Sequence, residues 1–419
     1  MQIKRTKNIH NITLVTWCGS FNYGTNLQAY ALYKSLTRLG YQVRLLHEFD
    51  RGDFHWYGRL HKKLRLFVGK LKGKASWIEP KWGKHPVKMK RVHEFEHRFI
   101  RMAQEICSQK DWEAHQDQTD CFVVGSDQVW NPYYLNPFFL LTDVRDDIRK
   151  IAYASSVGVP ALPVDLQDTY VNAWERFDAL GLRKVRTTKM IRKLASTPAV
   201  TVVDPTLLNE RSDWEQLADK AEPIELPSGT VDLQAEYILA YFVGDRVAYK
   251  NYLQSMQEKT GIATIYLLPM SKTHMDFKSI EGLQLIETAG PLEFLNLLRH
   301  AAWLCTDSYH ACIMSLQFEV PLKVLLRFET RDKKSQNNRL LELIDRYQLE
   351  DNLWCAQENP LEGETTSFQP MSESNRIKLR KAIEADRQAS LNFLIAALGE
   401  EPASVYDDPS VGLDEGGLM

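Results

Sequence analysis

The sequence contains four polar segments whose residue types could bind or transform a small anion or a sugar. They cover residues 17–26, 125–132, 153–158 and 306–310. The first has two glycines and several side-chain donors, and the second combines a carboxylate, amides and an indole. The last has hydroxyls and a histidine directly before a helical pattern. Free N–H groups at a helix start favour a phosphate or carboxylate, and His310 could donate a proton or hydrogen bond to such an anion.

These segments also have structural interpretations. The glycines and asparagines of 17–26 could serve turn geometry alone, and the G-x-G-x-x-G spacing of a dinucleotide site is absent. Asp127 could cap a helix, and Trp130 could belong to the core rather than stack on a sugar. A single histidine is more often structural than catalytic. Both interpretations stay open at the level of single segments.

Hydrophobic periodicity places most of these segments after a predicted β-strand. Residues 12–16 predict a strand, 26–39 a helix and 41–46 a second strand, which together form a βαβ unit. Further strands are predicted at 121–124, 151–154, 200–203, 237–242, 263–268, 302–305 and 321–326. Helical patterns alternate with them, so we predict an α/β fold with two Rossmann-like domains facing a cleft.

Composition shifts suggest where the domains begin and end. We predict an N-terminal Rossmann-like domain at 1–222 with a basic insertion at 50–117, and a C-terminal Rossmann-like domain at 236–360. Residues 371–399 predict a helix that packs back across the domains. The acidic residues 400–419 predict a disordered tail.

Length and charge exclude several classes of protein. The 419 residues suffice for two or three domains, and 52 basic against 54 acidic residues give a net charge of −2. That balance gives no indication of nucleic-acid binding. The six cysteines are scattered and indicate neither a zinc site nor a disulfide framework. Neither a membrane-spanning apolar stretch nor a signal-peptide pattern is found, so we expect a cytoplasmic location.

One segment departs from this neutral average. Residues 59–91 are rich in lysine and arginine, with Phe67, Trp77 and Trp82 interleaved. A basic amphipathic segment of this kind suits peripheral contact with an anionic membrane surface, a polyanion or a lipid-linked substrate. It could also be a solvated insertion whose apolar residues pack on the core.

Taken in order, the motifs of the chain resemble those of the polysaccharide pyruvyl transferase family. The resemblance extends over roughly residues 12–327 and rests on Asn22-Tyr23-Gly24 with 27–32, 124–131, 151–156 with Gly158, 204–208, Gly290-Pro291 with Phe294-Leu295, and 306–310. It implies a fold similar to the two-domain GT-B glycosyltransferases. It also implies transfer of pyruvate from phosphoenolpyruvate to a sugar as a cyclic ketal, in surface, capsule or exopolysaccharide biosynthesis.

The resemblance implies that phosphoenolpyruvate is the co-substrate, bound by the domain at 236–360, and that the acceptor is a sugar, free or lipid-linked. No metal or other cofactor is expected. His310 matches the donor-binding histidine of the family, and Arg183 matches an arginine that helps to hold phosphoenolpyruvate. The chain departs from the family pattern at Lys184, Ser308 and Ala311, where members carry glutamate, in some cases arginine, and glycine.

The expected site residues fall into three groups. The catalytic pair is His310, as acid or anion donor, and Asp127, as base or orienter of the acceptor hydroxyl. The donor-binding group is Arg183, Ser308, Tyr309, His310, Lys323 and Arg327. The acceptor-binding group is Asn22, Tyr23, Gly24, Asn26, Ser126, Asp127, Gln128, Trp130 and Asn131.

Two other functions fit the same sequence. One is a glycosyltransferase of the same architecture that uses a nucleotide sugar. The other is a non-catalytic assembly factor that binds a glycan or a lipid carrier through the basic segment.

Overall fold

The computed structural model describes residues 9–48, 85–159, 161–328, 337–354, 368 and 370–399. Its first sheet has six parallel strands in the order β2-β1-β3-β4-β5-β6. They are β1 (Asn11–Val15), β2 (Gln42–Leu45), β3 (Cys121–Val124), β4 (Arg149–Ser155), β5 (Ala179–Leu182) and β6 (Ala199–Thr201). Most of the residues of β1, β3, β4 and β5 are buried, as expected where helices cover both faces of a parallel sheet.

Helices α1 to α6 belong to this first half of the chain. They are α1 (Tyr23–Arg38), α2 (Pro86–Phe99), α3 (Gln109–Asp117), α4 (Val164–Trp174), α5 (Val185–Leu194) and α6 (Arg211–Ala218). Helix α1 begins at Tyr23, three residues before its predicted start, because the Asn22 side chain accepts a hydrogen bond from the Gly24 amide and caps the helix. Between the two predicted domains, at 223–235, the chain forms a hairpin of β7 (Glu225–Leu226) and β8 (Gly229–Thr230).

The second sheet repeats this plan with strands in the order β11-β10-β9-β12-β13-β14, again all parallel. They are β9 (Tyr237–Tyr241), β10 (Thr264–Leu268), β11 (Leu283–Leu285), β12 (Trp303–Thr306), β13 (Leu322–Leu325) and β14 (Leu353–Trp354). The helices of this half are α7 (Ala248–Thr260), α8 (Lys272–Met275), α9 (Pro291–His300), α10 (Tyr309–Phe318), α11 (Asn338–Tyr347) and α12 (Glu373–Leu398).

The predicted fold class is confirmed as α/β with two Rossmann-like sheets. The carboxyl ends of the sheets face each other, because the loop after β1 and the start of α1 contact the end of β9 and the turn after β12. One buried apolar cluster is continuous across this junction and includes Leu14, Leu27, Leu239 and Ile313. In both sheets the strand order reverses beside the first strand, which is where open α/β sheets bind ligands.

Helix α12 crosses back onto the first sheet, where it contacts β4 and β5. The Ser390 hydroxyl accepts a hydrogen bond from the Val203 amide at 3.0 Å. Arg346 of α11 pairs with Asp386 of α12, so the helix also contacts the second half of the chain. The predicted disordered tail lies outside the described residues, as does most of the basic segment. Within the described ranges, none of the helices is both long and apolar enough to cross a membrane.

Replacing Phe393 by alanine tests how far α12 stabilises the fold. Phe393 is 7% exposed and packs on Tyr153 and Gly181 of the first sheet. We expect Phe393→Ala to lower the free energy of unfolding by about 3 kcal/mol in urea denaturation, since it leaves a cavity against the sheet. Ile377→Ala is the control on the same helix, because Ile377 is 44% exposed. Equal effects of the two substitutions would contradict the packing role.

Candidate active site

A buried arginine joins two carboxylates at the carboxyl end of the first sheet. The Arg183 guanidinium donates hydrogen bonds to Asp127 Oδ1 at 2.9 Å and to Asp204 Oδ2 at 3.0 Å. Asp127 follows β3, Arg183 follows β5 and Asp204 follows β6. The Arg183 side chain is 2% exposed. The topology therefore brings together three charged side chains that are far apart in the sequence.

His310 reaches the same place from the second sheet. It lies in the first turn of α10, directly after β12, and its Nε2 is 3.3 Å from Asp204 Oδ2. This nitrogen is buried and makes no hydrogen bond within the described part of the chain. The imidazole packs on Gly24, where an added Cβ would overlap the ring. Because Gly24 has no side chain, there is room for the imidazole at this position.

Arg339 and Tyr309 complete this group. The Tyr309 ring is close to two guanidinium groups, with its centroid 4.9 Å from Arg183 Cζ and 5.9 Å from Arg339 Cζ. Arg339 Nη1 is 3.7 Å from Asp127 Oδ1, and its side chain is partly exposed. We call Arg183, Asp127, Asp204, His310 and Arg339 the junction cluster.

The charges of the junction cluster shift the pKa values of its acids. Burial alone would raise the pKa of Asp204, but the opposing effect of His310 and Arg183 is larger and holds this pKa below its usual range. Burial also opposes ionisation of Asp127, and Arg183, His310 and Arg339 again bring its pKa below the ordinary value. Both carboxylates are therefore ionised at neutral pH.

A second carboxylate network fixes the start of α10. Asp307 accepts hydrogen bonds from the Val243 and Gly244 amides, each at 2.7 Å, and from the Tyr249 hydroxyl at 3.0 Å. Arg327, assigned to the donor from the sequence, pairs with Asp307 at 3.2 Å. The Ser308 side chain caps α10 by accepting from the Ala311 amide. Asp307 thus holds the loop after β9 against the turn that carries His310.

Lys323, the remaining residue of the predicted donor group, makes different contacts. Its ammonium donates to the Asp351 carbonyl at 3.0 Å and lies over the Phe368 ring at 5.1 Å. None of these contacts is with the junction cluster.

Several residues of the predicted acceptor group organise their own loops. Asn26 Oδ1 accepts from the Gly19 and Ser20 amides at 2.9 and 3.2 Å. Gln28 Oε1 accepts from the Ser126 amide at 3.1 Å and from its hydroxyl at 2.7 Å. Gln28 therefore joins the loops after β1 and β3, a role that the sequence analysis missed.

The rest of the loop after β3 is also engaged within the protein. Trp130 is fully buried, and its Nε1 donates to the Phe139 carbonyl at 2.8 Å, as in the core alternative. Asn131 Nδ2 donates to Gln128 Oε1 at 3.0 Å, and Asn131 Oδ1 accepts from the Tyr133 amide. Within this loop, Asp127 is the residue that enters the junction cluster.

Asn22 and Tyr23 lie where the two halves of the chain meet. Asn22 Oδ1 accepts from the Tyr241 hydroxyl at 3.3 Å. The Tyr23 ring stacks on Phe294 with centroids 4.6 Å apart, and its hydroxyl donates to the Ala289 carbonyl at 3.1 Å. The loop after β1 thus binds to the second half directly beside His310.

Lys88, from the predicted basic surface, is buried at this same junction. Its side chain points inward from α2, the residue is 4% exposed, and its Nζ lies 4.2 Å from the Tyr23 ring centroid and 3.5 Å from Met270 Sδ. Burial lowers the pKa of Lys88 to about 7. Arg91 likewise faces inward, donating to the Thr288 carbonyl at 3.2 Å. At these two positions the basic segment contributes to the domain junction.

The sequence analysis missed Asp204 and Arg339 as site residues. Asp204 has a recognisable signal, because it follows a strand just as Asp127 does. Arg339 has no such signal, since it lies on a helix and reaches the cluster through the tertiary structure. Among the described residues, no group of His, Cys, Asp and Glu side chains could hold a metal ion. The cluster offers two ionised carboxylates, a histidine and arginines at a junction of two sheets, a combination suited to proton transfer beside a bound anion.

A family model described as polysaccharide pyruvyl transferase matches residues 22–324, which include most of the junction cluster and exclude Arg339. No curated protein matches this chain significantly.

Several solved structures are similar to this one at low sequence identity. A UDP-GlcNAc 2-epimerase from Neisseria meningitidis has a TM-score of 0.46 and 10% identity, covering 93% of this chain and 99% of that one. The epimerase from Methanocaldococcus jannaschii has 0.40 and 14%, with 88% and 98% covered. The glycosyltransferase SnogD from Streptomyces nogalater has 0.39 and 12%, with 93% and 99% covered. At these low identities and TM-scores, the similarities give no information about activity.

Gly24→Ala tests the contact between the first loop and the histidine. The new methyl group would overlap the imidazole, so we expect His310 to move. The affinity for phosphoenolpyruvate, the donor expected from the sequence, should then fall by about tenfold or more. The melting temperature and near-UV circular dichroism check that the fold persists. Wild-type ligand affinity in the Gly24→Ala variant would show that the close packing is unnecessary.

Lys88→Met tests the buried lysine through pH. The pKa of Lys88 is about 7 in the folded protein, against the ordinary 10.5 in the unfolded chain. Below pH 7 the amine is therefore charged in both states, and the unfavourable free energy of burying its charge is fully present. Between pH 7 and pH 10.5 the unfolded chain binds more protons than the folded protein, so the stability rises with pH. We expect Lys88→Met to stabilise the protein most near pH 6, by up to about 4 kcal/mol, with the gain fading towards pH 10. Urea denaturation at several pH values measures this, and a gain independent of pH would contradict it.

Proposed function

The chain belongs to the polysaccharide pyruvyl transferase family, and on that premise we propose that it transfers pyruvate from phosphoenolpyruvate to two hydroxyls of a sugar as a cyclic ketal. In this proposal the reaction belongs to the biosynthesis of a surface polysaccharide or exopolysaccharide. The observation that supports it best is the junction cluster, in which His310 from one sheet approaches Asp204, Arg183 and Asp127 from the other.

The reaction sets the requirements on the protein. The methylene carbon of phosphoenolpyruvate takes up a proton and becomes a methyl group, while the neighbouring carbon gains oxocarbenium character. A sugar hydroxyl adds there, the bond from that carbon to the phosphate oxygen breaks, and a second hydroxyl closes the ketal. One hydroxyl proton balances the proton on carbon, and the other leaves with hydrogen phosphate. A proton donor, cations and an acceptor for the hydroxyls are needed.

In this mechanism His310 is the proton donor. The Asp204 carboxylate lies 3.3 Å from Nε2 and orients the ring. Gly24 and the Asp307 network hold the ring and its helix in place. The surroundings of His310 therefore support an acid role, one of the two roles expected from the sequence.

Asp127 acts as an orienter of the acceptor hydroxyl. A carboxylate whose pKa lies below the ordinary value is a weak base at neutral pH, but it accepts hydrogen bonds well. The hydroxyl proton then passes to the departing phosphate. This role refines the initial choice between base and orienter.

Arg183 and Arg339 have different roles in this proposal. Both terminal nitrogens of Arg183 already donate to carboxylates, which supports a positioning role for it. Arg339 is partly exposed beside Tyr309 and Asp127, and we assign it to the phosphate or carboxylate of the donor. The donor is then held between the two halves of the chain, with the acceptor sugar, free or lipid-linked, on the Asp127 side.

His310→Ala tests this function. We expect phosphoenolpyruvate to raise the melting temperature of the wild type, and UDP or GDP to have no such effect. His310→Ala should bind phosphoenolpyruvate about tenfold more weakly and release no phosphate from it with a mixture of glycan acceptors. His97→Ala is the control, because His97 is exposed on α2. Products should gain the mass of one pyruvate less water. Stabilisation by UDP or GDP alone, or full turnover by His310→Ala, would refute the proposal.

A further inference from the structure

A small pocket lies beside the junction cluster and is not used by the mechanism above. It is open to solvent and is lined by Lys184, Arg186, Thr187, Asn338 and Glu342, with two apolar side chains. The lining has no aromatic ring, and its polar side chains outnumber the apolar ones. The pocket therefore suits a small polar group rather than a nucleobase.

The pocket is located at the beginning of α5, a helix of ten residues. Lys184 is the N-cap residue, no side chain caps the helix, and its first turn contains no acidic residue. The first backbone N–H groups and the helix dipole consequently favour a negative charge at this end.

Lys184 is a second, independent feature of the pocket. The residue is 7% exposed, and its ammonium makes no ion pair or hydrogen bond within the described residues. Burial lowers the pKa of Lys184 to about 8, while the charge of Glu342 acts against this shift. A buried ammonium beside an uncapped helix start calls for an anionic partner, because unpaired burial of a charge is unfavourable.

Glu342 is the opposing charge in this pocket. Burial raises the pKa of Glu342, and Lys184, Arg183 and Arg186 lower it in turn. In its protonated form this carboxyl group can donate a hydrogen bond to an anion, whereas its ionised form repels one. The pocket is lined by two basic side chains, Lys184 and Arg186, and by one acidic side chain, Glu342.

The pocket adjoins the junction cluster along two elements. Lys184 directly follows Arg183, and Asn338 directly precedes Arg339. Both arginines contact Asp127. A group bound by Lys184 would thus lie next to Arg183 and Arg339 of the junction cluster.

We propose that Lys184, Arg186, Asn338 and the start of α5 bind a phosphoryl group. The proposal rests on the proposed function for the identity of that group, which belongs to phosphoenolpyruvate or to a phosphorylated sugar acceptor. Either source presents the same tetrahedral anion to the pocket. Lys184 supplies the charge, and the amides of α5 supply donors along its dipole.

Isothermal titration of the full chain with inorganic phosphate tests the pocket. Lys184→Met should weaken phosphate binding by about tenfold, and Lys184→Arg should restore most of it. Glu342→Gln should bind phosphate as tightly as the wild type or more tightly. Lys189→Met, an exposed residue of the same helix, should bind normally. Wild-type binding by Lys184→Met, or equal weakening by Glu342→Gln and Lys184→Met, would overturn the proposal.

The phosphate source and the proposed function are separated by further titrations. Competition between phosphoenolpyruvate and inorganic phosphate supports the donor as the source, and competition by glucose 1-phosphate alone supports the acceptor. Phosphoenolpyruvate binding that Lys184→Met leaves unchanged, together with unchanged phosphate binding, would overturn the pocket and leave the proposed function intact. Phosphate binding that depends on Lys184, without any binding of phosphoenolpyruvate, would support the pocket and refute the proposed donor.

Discussion

The arrangement of the site depends on the buried ion pairs between Arg183 and two aspartates. Asp127 and Asp204 end different strands of one sheet, and neither could be buried and ionised without a cation between them. With Arg183 in place, both carboxylates stay charged and face the second sheet. His310 then approaches Asp204 across the junction. The same guanidinium thus sets the positions of groups from both halves of the chain.

Much of the fold could be predicted from the sequence because its strands are short apolar runs that alternate with amphipathic helices. The pattern predicted five strands of the first sheet and four of the second, and it missed β5, β11 and β14. The sequence analysis placed the start of α1 too late, because the capping of Asn22 is a local hydrogen bond that periodicity does not register. It also gave no indication that Lys88 and Arg91 turn inward, since a charged residue on an amphipathic helix ordinarily faces water.

Less of the site was predictable. Arg183, Asp127 and His310 follow strands of the sheets, and parallel topology brings such residues to the facing edges. Trp130 was chosen for its chemistry, but its indole lies in the core with Trp174 and Phe177. Arg339 could not be found in this way, because its position depends on how α11 packs against the first half of the chain. Residue type alone did not distinguish side chains that reach the junction from those that build the loops.

The return of α12 to the first sheet has a consequence for biosynthesis. During translation the strands β1 to β6 leave the ribosome long before the helix that covers β4 and β5. That face of the sheet stays uncovered until Glu373–Leu398 has been made, so the first half cannot complete its folding as an independent unit. A nascent chain of this protein therefore exposes apolar surface that a chaperone could bind until α12 has left the ribosome.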